Sequence, residues 1–157
     1  GGQWVSSEIT GRPEVASPKV IKFGRTYSFD FKMGNNLQDL KLIVGDPNTG
    51  NTHILTMSSL QPNNEISIRE TLNNVESELG YTPLVNTVDS VGTLVFSIGE
   101  TISTSVYYGE VLRATLTVAS SLPYLETRPL RISVTPATPD GKSFLYGWVD
   151  IDNFKEL

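Results

Sequence analysis

The segment FLYGWVDIDNFKEL, residues 144–157, constrains the fold more than any other part of the chain. Phe144, Tyr146 and Trp148 stand at every second position, and successive side chains of a β-strand point to opposite faces of the sheet. The segment therefore predicts a last strand that crosses a hydrophobic core with its aromatic side chains on one face. We expect this strand to end in a loop that carries Asp150 and Asp152.

The same alternation recurs earlier in the chain. In VIKFGRTYSFDFKMG, Tyr27, Phe29 and Phe31 share one face, and polar or charged residues occupy the other. Further strand-like runs are LKLIVG, THILTM, TLVFSI, TSVYY, EVLRATLTV and PLRISV, with turns such as GDPNTGN between them. We assign the side chains of Tyr27, Phe29, Phe31 and Phe96 to the core. Roughly eight or nine such strands predict an all-β fold, an antiparallel two-sheet β-sandwich of jelly-roll type.

One segment, SIRETLNNVESELG, favours a short helix in a connection between strands. Ser67 and Glu70 have the spacing of a capping box, and Gly80 is a residue that commonly ends a helix. Apolar residues between them recur at helical intervals. We therefore predict a helix over residues 67–80.

The length of 157 residues suits one domain, because two cores of half this size would each be marginal. Residues 1–18 are polar and interrupted by proline, which indicates an irregular N-terminal arm or a short edge strand carrying Trp4. Residues 19–157 are expected to form the sandwich. The 13 glycines and 9 prolines fit a chain with many tight reversals.

Charge and composition exclude several classes of function. The net charge is −5 and the basic residues are scattered singly, so a nucleic-acid backbone would be repelled. The absence of cysteine excludes disulfides, thiolate nucleophiles and cysteine-ligated metals. No apolar run approaches the ~20 residues that span a bilayer, so we expect no membrane insertion.

Catalytic motifs are also missing from the sequence. His53 is the single histidine, and neither a G-x-S-x-G elbow, an H-E-x-x-H pair nor a glycine-rich phosphate loop is present. A glycosidase needs only two suitably spaced carboxylates, but the glutamates Glu8, Glu14, Glu110 and Glu126 are dispersed along the chain. We expect no catalytic residues and no enzyme activity.

Aromatic side chains are the stronger functional signal. Sugars present flat C–H faces that stack on aromatic rings, and their hydroxyls pair with planar polar groups. Tyr107 and Tyr108 are adjacent, so in an extended strand they point to opposite faces and one of them faces solvent or a groove. The candidate ligand-binding residues are Trp4, Tyr81, Tyr107, Tyr108 and Tyr124, with Trp148 as a further exposed-ring candidate.

A structural calcium ion is the one cofactor that the sequence suggests. Calcium prefers several oxygen ligands, and Asp150, Asp152 and Asn153 supply them where the last strand leaves the sheet, joined by Glu8. No D-x-D-x-D-G loop accompanies these residues. The expected metal ligands are Glu8, Asp150 and Asp152.

The segments FGRTYSFDFKM, LKLIVG and PLRISVTP, together with the ending YGWVDIDNFKEL, resemble the matching parts of bacterial jelly-roll carbohydrate-binding modules. In those modules a G-x-x-Y-x-x-x-F strand comes early, which Gly24, Tyr27 and Phe31 match. An I-D-N or I-D-D element closes the domain, which residues 151–153 match. The resemblance implies non-catalytic glycan binding, often beside an enzyme or adhesin, with Asp152 as a calcium ligand. We expect the protein to be extracellular or on a virion or cell surface.

A second hypothesis remains open on the same residues. Viral capsid protrusions and phage receptor-binding domains are also sandwiches rich in Thr, Ser and Val, and they act by self-association and host attachment. An acidic domain without a basic arm would be an outer projection of a virion or an adhesin. This hypothesis predicts a homo-oligomer built through an apolar sheet face.

Overall fold

The computed structural model describes residues 4–5, 14–15, 20–33, 38–45, 50–58, 65–84, 91–120, 127–136 and 149–157. These residues form strands joined by turns, with no helix among them. The strands are β1 (Trp4–Val5), β2 (Glu14–Val15), β3 (Val20–Lys22), β4 (Thr26–Met33), β5 (Gln38–Gly45), β6 (Thr52–Ser58), β7 (Glu65–Leu72), β8 (Val75–Pro83), β9 (Val91–Ile98), β10 (Thr101–Tyr108), β11 (Val111–Ala119), β12 (Thr127–Pro136) and β13 (Val149–Glu156). In the described part of the chain, no helix has the length and hydropathy that crossing a bilayer requires.

The strands form two antiparallel sheets. The front sheet has six strands in the order β1-β13-β4-β9-β10-β11. The back sheet has seven: six in the order β2-β12-β5-β6-β7-β8, and β3, which pairs with β12 as β2 does. The predicted jelly-roll β-sandwich is confirmed.

The inner faces of the two sheets make one hydrophobic core. The four aromatic residues assigned to the core, Tyr27, Phe29, Phe31 and Phe96, are 5%, 1%, 2% and 1% exposed, so that prediction is confirmed. Phe154 of β13 packs on three of them, with ring centroids 5.7 to 6.4 Å apart. Burial of each ring contributes on the order of 1.5–3 kcal/mol, so the aromatic cluster is a major source of stability.

The predicted helix is wrong, because residues 67–80 lie in the β7–β8 hairpin. Asn73 and Asn74 form its two-residue turn with φ angles of 52° and 65°, the left-handed values that a type I′ turn needs. Asparagine tolerates this region better than most residues. Ile66 and Ile68 are buried at every second position, which is the strand period.

The end of the chain also differs from its prediction. Asp150 and Asp152 lie within β13 and pair with Lys32 and Asp30 of β4, so they are not in a loop beyond the strand. The ladder shifts register between Asp152 and Lys155, so the irregularity lies inside the strand. Residues 144–148, expected to begin this strand, lie outside the described residues.

The described residues among the first 18 form two short edge strands. Trp4 and Val5 pair with Ile151 and Asp150 at the edge of the front sheet. Glu14 and Val15 pair with β12 at the edge of the back sheet.

Candidate functional site

A line of outward-facing residues crosses the front sheet. Asp30 is the register partner of Asp152 on one side and of Thr93 on the other, and Thr93 is in turn opposite Tyr107. Because Phe29 and Phe31 point into the core, Asp30 between them points outward. We call Asp152, Asp30, Thr93 and Tyr107 the front row.

Within the front row, the Asp30 carboxylate is held in place by two hydrogen bonds. Thr93 Oγ1 donates to Asp30 Oδ1 at 2.8 Å, and Asn153 Nδ2 donates to Asp30 Oδ2 at 2.8 Å. Each carboxylate oxygen has a second lone pair left for another donor. The two hydrogen bonds hold the carboxylate in one orientation on the outer face of the sheet.

Asn153 reaches Asp30 because the backbone of β13 is irregular at that point. Its φ is 55°, in the left-handed region, and it falls within the register shift that follows Asp152. Its backbone N donates to Asp152 Oδ1 at 2.8 Å. Bulges and positive φ angles outside glycine cluster at functional sites, where they direct one side chain away from the regular ladder.

These residues line a depression of about 460 Å³ on the front sheet. Its lining residues are Ser28, Asp30, Thr93, Asn153, Phe154 and Lys155. Hydroxyl, carboxylate, amide and ammonium groups therefore line one depression, as in a site that orients a polar ligand by a few placed groups.

The structure separates the two adjacent tyrosines, as alternation in a strand requires. Tyr108 points inward, is 2% exposed and donates its hydroxyl to Met57 Sδ at 3.7 Å. Its ring is enclosed by the core, so the structure does not support Tyr108 as a ligand-binding residue. Tyr107 lies partly exposed on the outer face and is the tyrosine of this pair available to a ligand.

Of the remaining predicted ligand residues, Tyr81 lies away from this site. Tyr81 is 63% exposed on β8 of the back sheet, opposite Ser67. Because Ile66 and Ile68 point inward, Ser67 and its partner face outward, away from the front row. Trp4 lies on β1 next to β13, whereas Tyr124 and Trp148 lie outside the described residues.

The expected metal ligands are only partly described. Asp152 is exposed in the front row, Asp150 lies two residues before it on β13, and Glu8 is outside the described residues. Among the residues that the structure describes, no group of three or more His, Cys, Asp or Glu side chains is placed to hold a metal ion.

Sequence reasoning missed Asp30, Thr93 and Asn153 as one site. The three residues are brought together by pairing of β4 with both β9 and β13, which no local pattern reports. The alternation in TYSFDF did place Asp30 on the polar face of a strand, and this was the available signal.

No protein-family model matches this chain, and no curated protein matches its sequence. Solved structures with a similar fold include the carbohydrate-binding module CBM66 from Bacillus subtilis, at 13% identity and a TM-score of 0.59, which covers 99% of this chain and 94% of that one. Galectin-Ib of Xenopus laevis is similar at 9% identity and a TM-score of 0.57, covering 99% and 100%. A β-glucanase of Bacillus licheniformis is similar at 12% identity and 0.55, covering 97% and 75%. At these identities the likeness shows a shared fold.

Proposed function

We propose that this protein binds a glycan on the outer face of the front sheet and does not cleave it. The observation that carries the proposal is the Asp30 carboxylate, oriented by Thr93 and Asn153, in the same row as the partly exposed ring of Tyr107. A ring for stacking and a fixed planar acceptor for hydroxyls are the two elements of sugar recognition. The fold shared with a carbohydrate-binding module and a galectin supports the proposal.

The spacing along the front row favours an oligosaccharide. Asp30 and Tyr107 are separated by two strand spacings, which is roughly 10 Å at about 4.8 Å per strand. One sugar ring stacked on Tyr107 would leave the Asp30 carboxylate to the hydroxyls of a neighbouring unit. We expect the ligand to lie across the strands.

Hydrogen-bond geometry supports binding without cleavage. A glycosidase needs a carboxylic acid that gives a proton to the leaving oxygen. Both oxygens of Asp30 accept hydrogen bonds from protein donors, and Asp152 Oδ1 accepts one from the backbone. Incubation with oligosaccharides and assay for new reducing ends tests this part of the proposal, and turnover abolished by Asp30→Asn would contradict it.

The binding test begins with a glycan array and continues with titration calorimetry on the best ligand. Tyr107→Ala is expected to weaken binding at least tenfold, the equivalent of about 1.4 kcal/mol. Tyr81→Ala is the matched control, since it removes the same ring from the opposite sheet. Loss of binding in Tyr81→Ala with Tyr107→Ala unaffected would move the site to the back sheet.

Asn153 permits a second test that separates recognition from backbone strain. Asn153→Gly keeps a residue suited to a φ of 55° but removes the amide that orients Asp30. We expect weaker glycan binding with an unchanged melting temperature. Equal affinity in this variant would show that Asp30 does not need its amide partner.

We also propose that Asp152, joined by Asp150 and Glu8, holds a structural calcium ion. Asp30 and Asp152 are directly opposite on neighbouring strands, an arrangement in which like charges repel unless something neutralises them. A chelator is then expected to lower the melting temperature of the native protein but not that of Asp152→Asn. An unchanged melting temperature in both would exclude the ion and leave the glycan proposal intact.

The alternative of a self-associating surface domain has a distinct requirement. It needs an apolar sheet face, whereas the described outer face of the front sheet is mixed: Asp30, Thr93, Ser103 and Thr117 lie there together with the exposed apolar residues Val91 and Leu112. A solution mass measurement tests it, and a monomer that binds glycan would favour the binding module. Both hypotheses place the protein outside the cell or on a virion surface.

A further inference from the structure

A buried polar cluster joins the two sheets at one end of the sandwich. His53 of β6, Glu70 of β7 and Arg128 of β12 belong to the back sheet and are 0%, 3% and 4% exposed. Ser120 directly follows β11 of the front sheet and completes the cluster. We call these four residues the histidine cluster, which lies apart from the proposed glycan site.

The hydrogen bonds of the cluster converge on the two nitrogens of His53. Nε2 lies 3.0 Å from Glu70 Oε1 and 2.9 Å from Ser120 Oγ. Nδ1 lies 3.0 Å from Arg128 Nη1. Ser120 Oγ also donates to Glu70 Oε1 at 3.4 Å. The residue that leaves the front sheet is therefore held by two back-sheet side chains.

These contacts determine which nitrogen of His53 carries its proton. The Arg128 guanidinium has only donors, so Nδ1 must be the acceptor of that hydrogen bond. The ring is then neutral with its proton on Nε2, where Glu70 and Ser120 offer acceptor oxygens. A second proton would have to occupy Nδ1 and would face Arg128, donor against donor.

The electrostatics of the site also disfavour a second proton on His53. Burial lowers the pKa of His53 below its usual value of 6.5, and the positive charge of Arg128 lowers it further, while the hydrogen bond and charge of Glu70 oppose the change. Among the residues that the structure describes, the charged groups that contact the ring are Glu70 from β7 and Arg128 from β12. Val44 of β5 is the apolar register partner of His53, and the backbone carbonyl of Glu100 accepts a hydrogen bond from Ser120 N.

We propose that the histidine cluster is an acid-sensitive latch that holds the exit of β11 against the back sheet and releases it when His53 gains a proton. Protonation breaks the hydrogen bond from Arg128 and opposes two positive charges inside the sandwich. The ring then needs solvent, and exposure requires Ser120 to move away.

The direction of the pH effect follows from linkage. The unfolded or opened chain binds a proton on His53 at a higher pH than the closed structure does. Stability is therefore full above the ordinary pKa of 6.5 and is lost as the pH falls below it. Solvent-exposed carboxylates titrate mainly below about pH 5. A change between about pH 5.3 and 7 that is absent from His53→Gln is therefore assigned to the single histidine.

The first experiment is an NMR titration of the intact protein. Its one histidine gives one set of ring signals, and we expect their midpoint below pH 6.5. A midpoint at or above 6.5 would overturn the proposal. This measurement uses the wild-type chain alone and decides the question even where a variant fails to fold.

A thermal and exchange experiment then tests the latch itself. The melting temperature of the wild type is expected to fall between about pH 7 and 5.3, whereas His53→Gln, which keeps an acceptor and a donor but does not titrate, stays level. Over the same interval the amide of Ser120 should lose hydrogen-exchange protection before the amide of Leu42 in the central back sheet. A melting temperature that depends equally on pH in the wild type and in His53→Gln would rule out a local latch. Simultaneous loss of exchange protection at the amides of Ser120 and Leu42 would also rule it out.

Discussion

At the scale of single residues, the neighbours Tyr107 and Tyr108 have opposite roles in stability. Tyr108 is 2% exposed between the sheets, and its truncation to alanine is expected to cost about 3–5 kcal/mol, as for other buried aromatic residues. Tyr107→Ala removes a partly exposed ring and is expected to cost well under about 1 kcal/mol. Urea unfolding measures both. A similar decrease in the free energy of unfolding in the two variants would mean that the Tyr107 ring is also enclosed.

Gly92 is required at its position by close approach. A Cβ atom there would lie 2.5 Å from the backbone oxygen of Tyr107 and 2.8 Å from ring atoms of Phe31 and Tyr108. Backbone cannot yield as a flexible side chain does, so Gly92→Ala is expected to destabilise by about 1–3 kcal/mol. Ser97→Ala on the same strand is the control, expected to change the free energy of unfolding by less than about 0.5 kcal/mol. A neutral Gly92→Ala would contradict this packing.

At the scale of the element, the β7–β8 hairpin depends on its two-residue turn. Asn74 has a φ of 65°, where glycine is unstrained and a Cβ-bearing residue without a compensating side chain costs about 1–2 kcal/mol. Asn74→Gly should therefore raise the urea midpoint, since Asn-Gly is the preferred type I′ sequence, and Asn74→Ala should lower it. The reverse order would show that the asparagine side chain, rather than the backbone angle, stabilises the turn.

The same hairpin shows why the sequence predicted some elements and not others. Strands such as β4 have a buried face with a strict period of two, and alternation alone identified them. In residues 67–80 the local signals pointed to a helix, but Glu70, read as a helix-capping residue, bonds to His53 in the neighbouring strand. A long-range partner outweighed local propensity. The two residues are 17 positions apart, so the capping-box spacing that predicted the helix does not include that contact.

The candidate site was harder to predict than the strands for a related reason. Asp30 and Asn153 form a hydrogen bond across 123 positions of the chain, and the bond depends on a positive φ within β13. The aromatic pattern named Tyr107 and Tyr108 together as candidates, because adjacent residues of a strand point to opposite faces. Which of the two faces is exposed was the part that required the structure.

At the scale of the whole molecule, pairing between distant segments should control the speed of folding. Ile151 pairs with Phe31, and the back sheet joins Val44 to Leu130, so closing each sheet requires large loops to form first. Sandwiches of this kind fold in roughly milliseconds to seconds, and stopped-flow refolding is expected to show a main phase in that range. Slower refolding phases that come from cis/trans isomerisation of the 9 prolines can be separated from this main phase by double-jump experiments.

The order of assembly follows from the same topology. Strands β5 to β8 form a run of antiparallel neighbours in chain order, whereas β13 joins β4 only after most of the chain is placed. Ile68→Val and Ile151→Val make the same chemical change at residues that are each 0% exposed. We expect Ile68→Val to slow folding and Ile151→Val to speed unfolding, which gives φ-values that are higher in the back sheet. A higher value at Ile151 would mean that the front sheet closes before the back sheet.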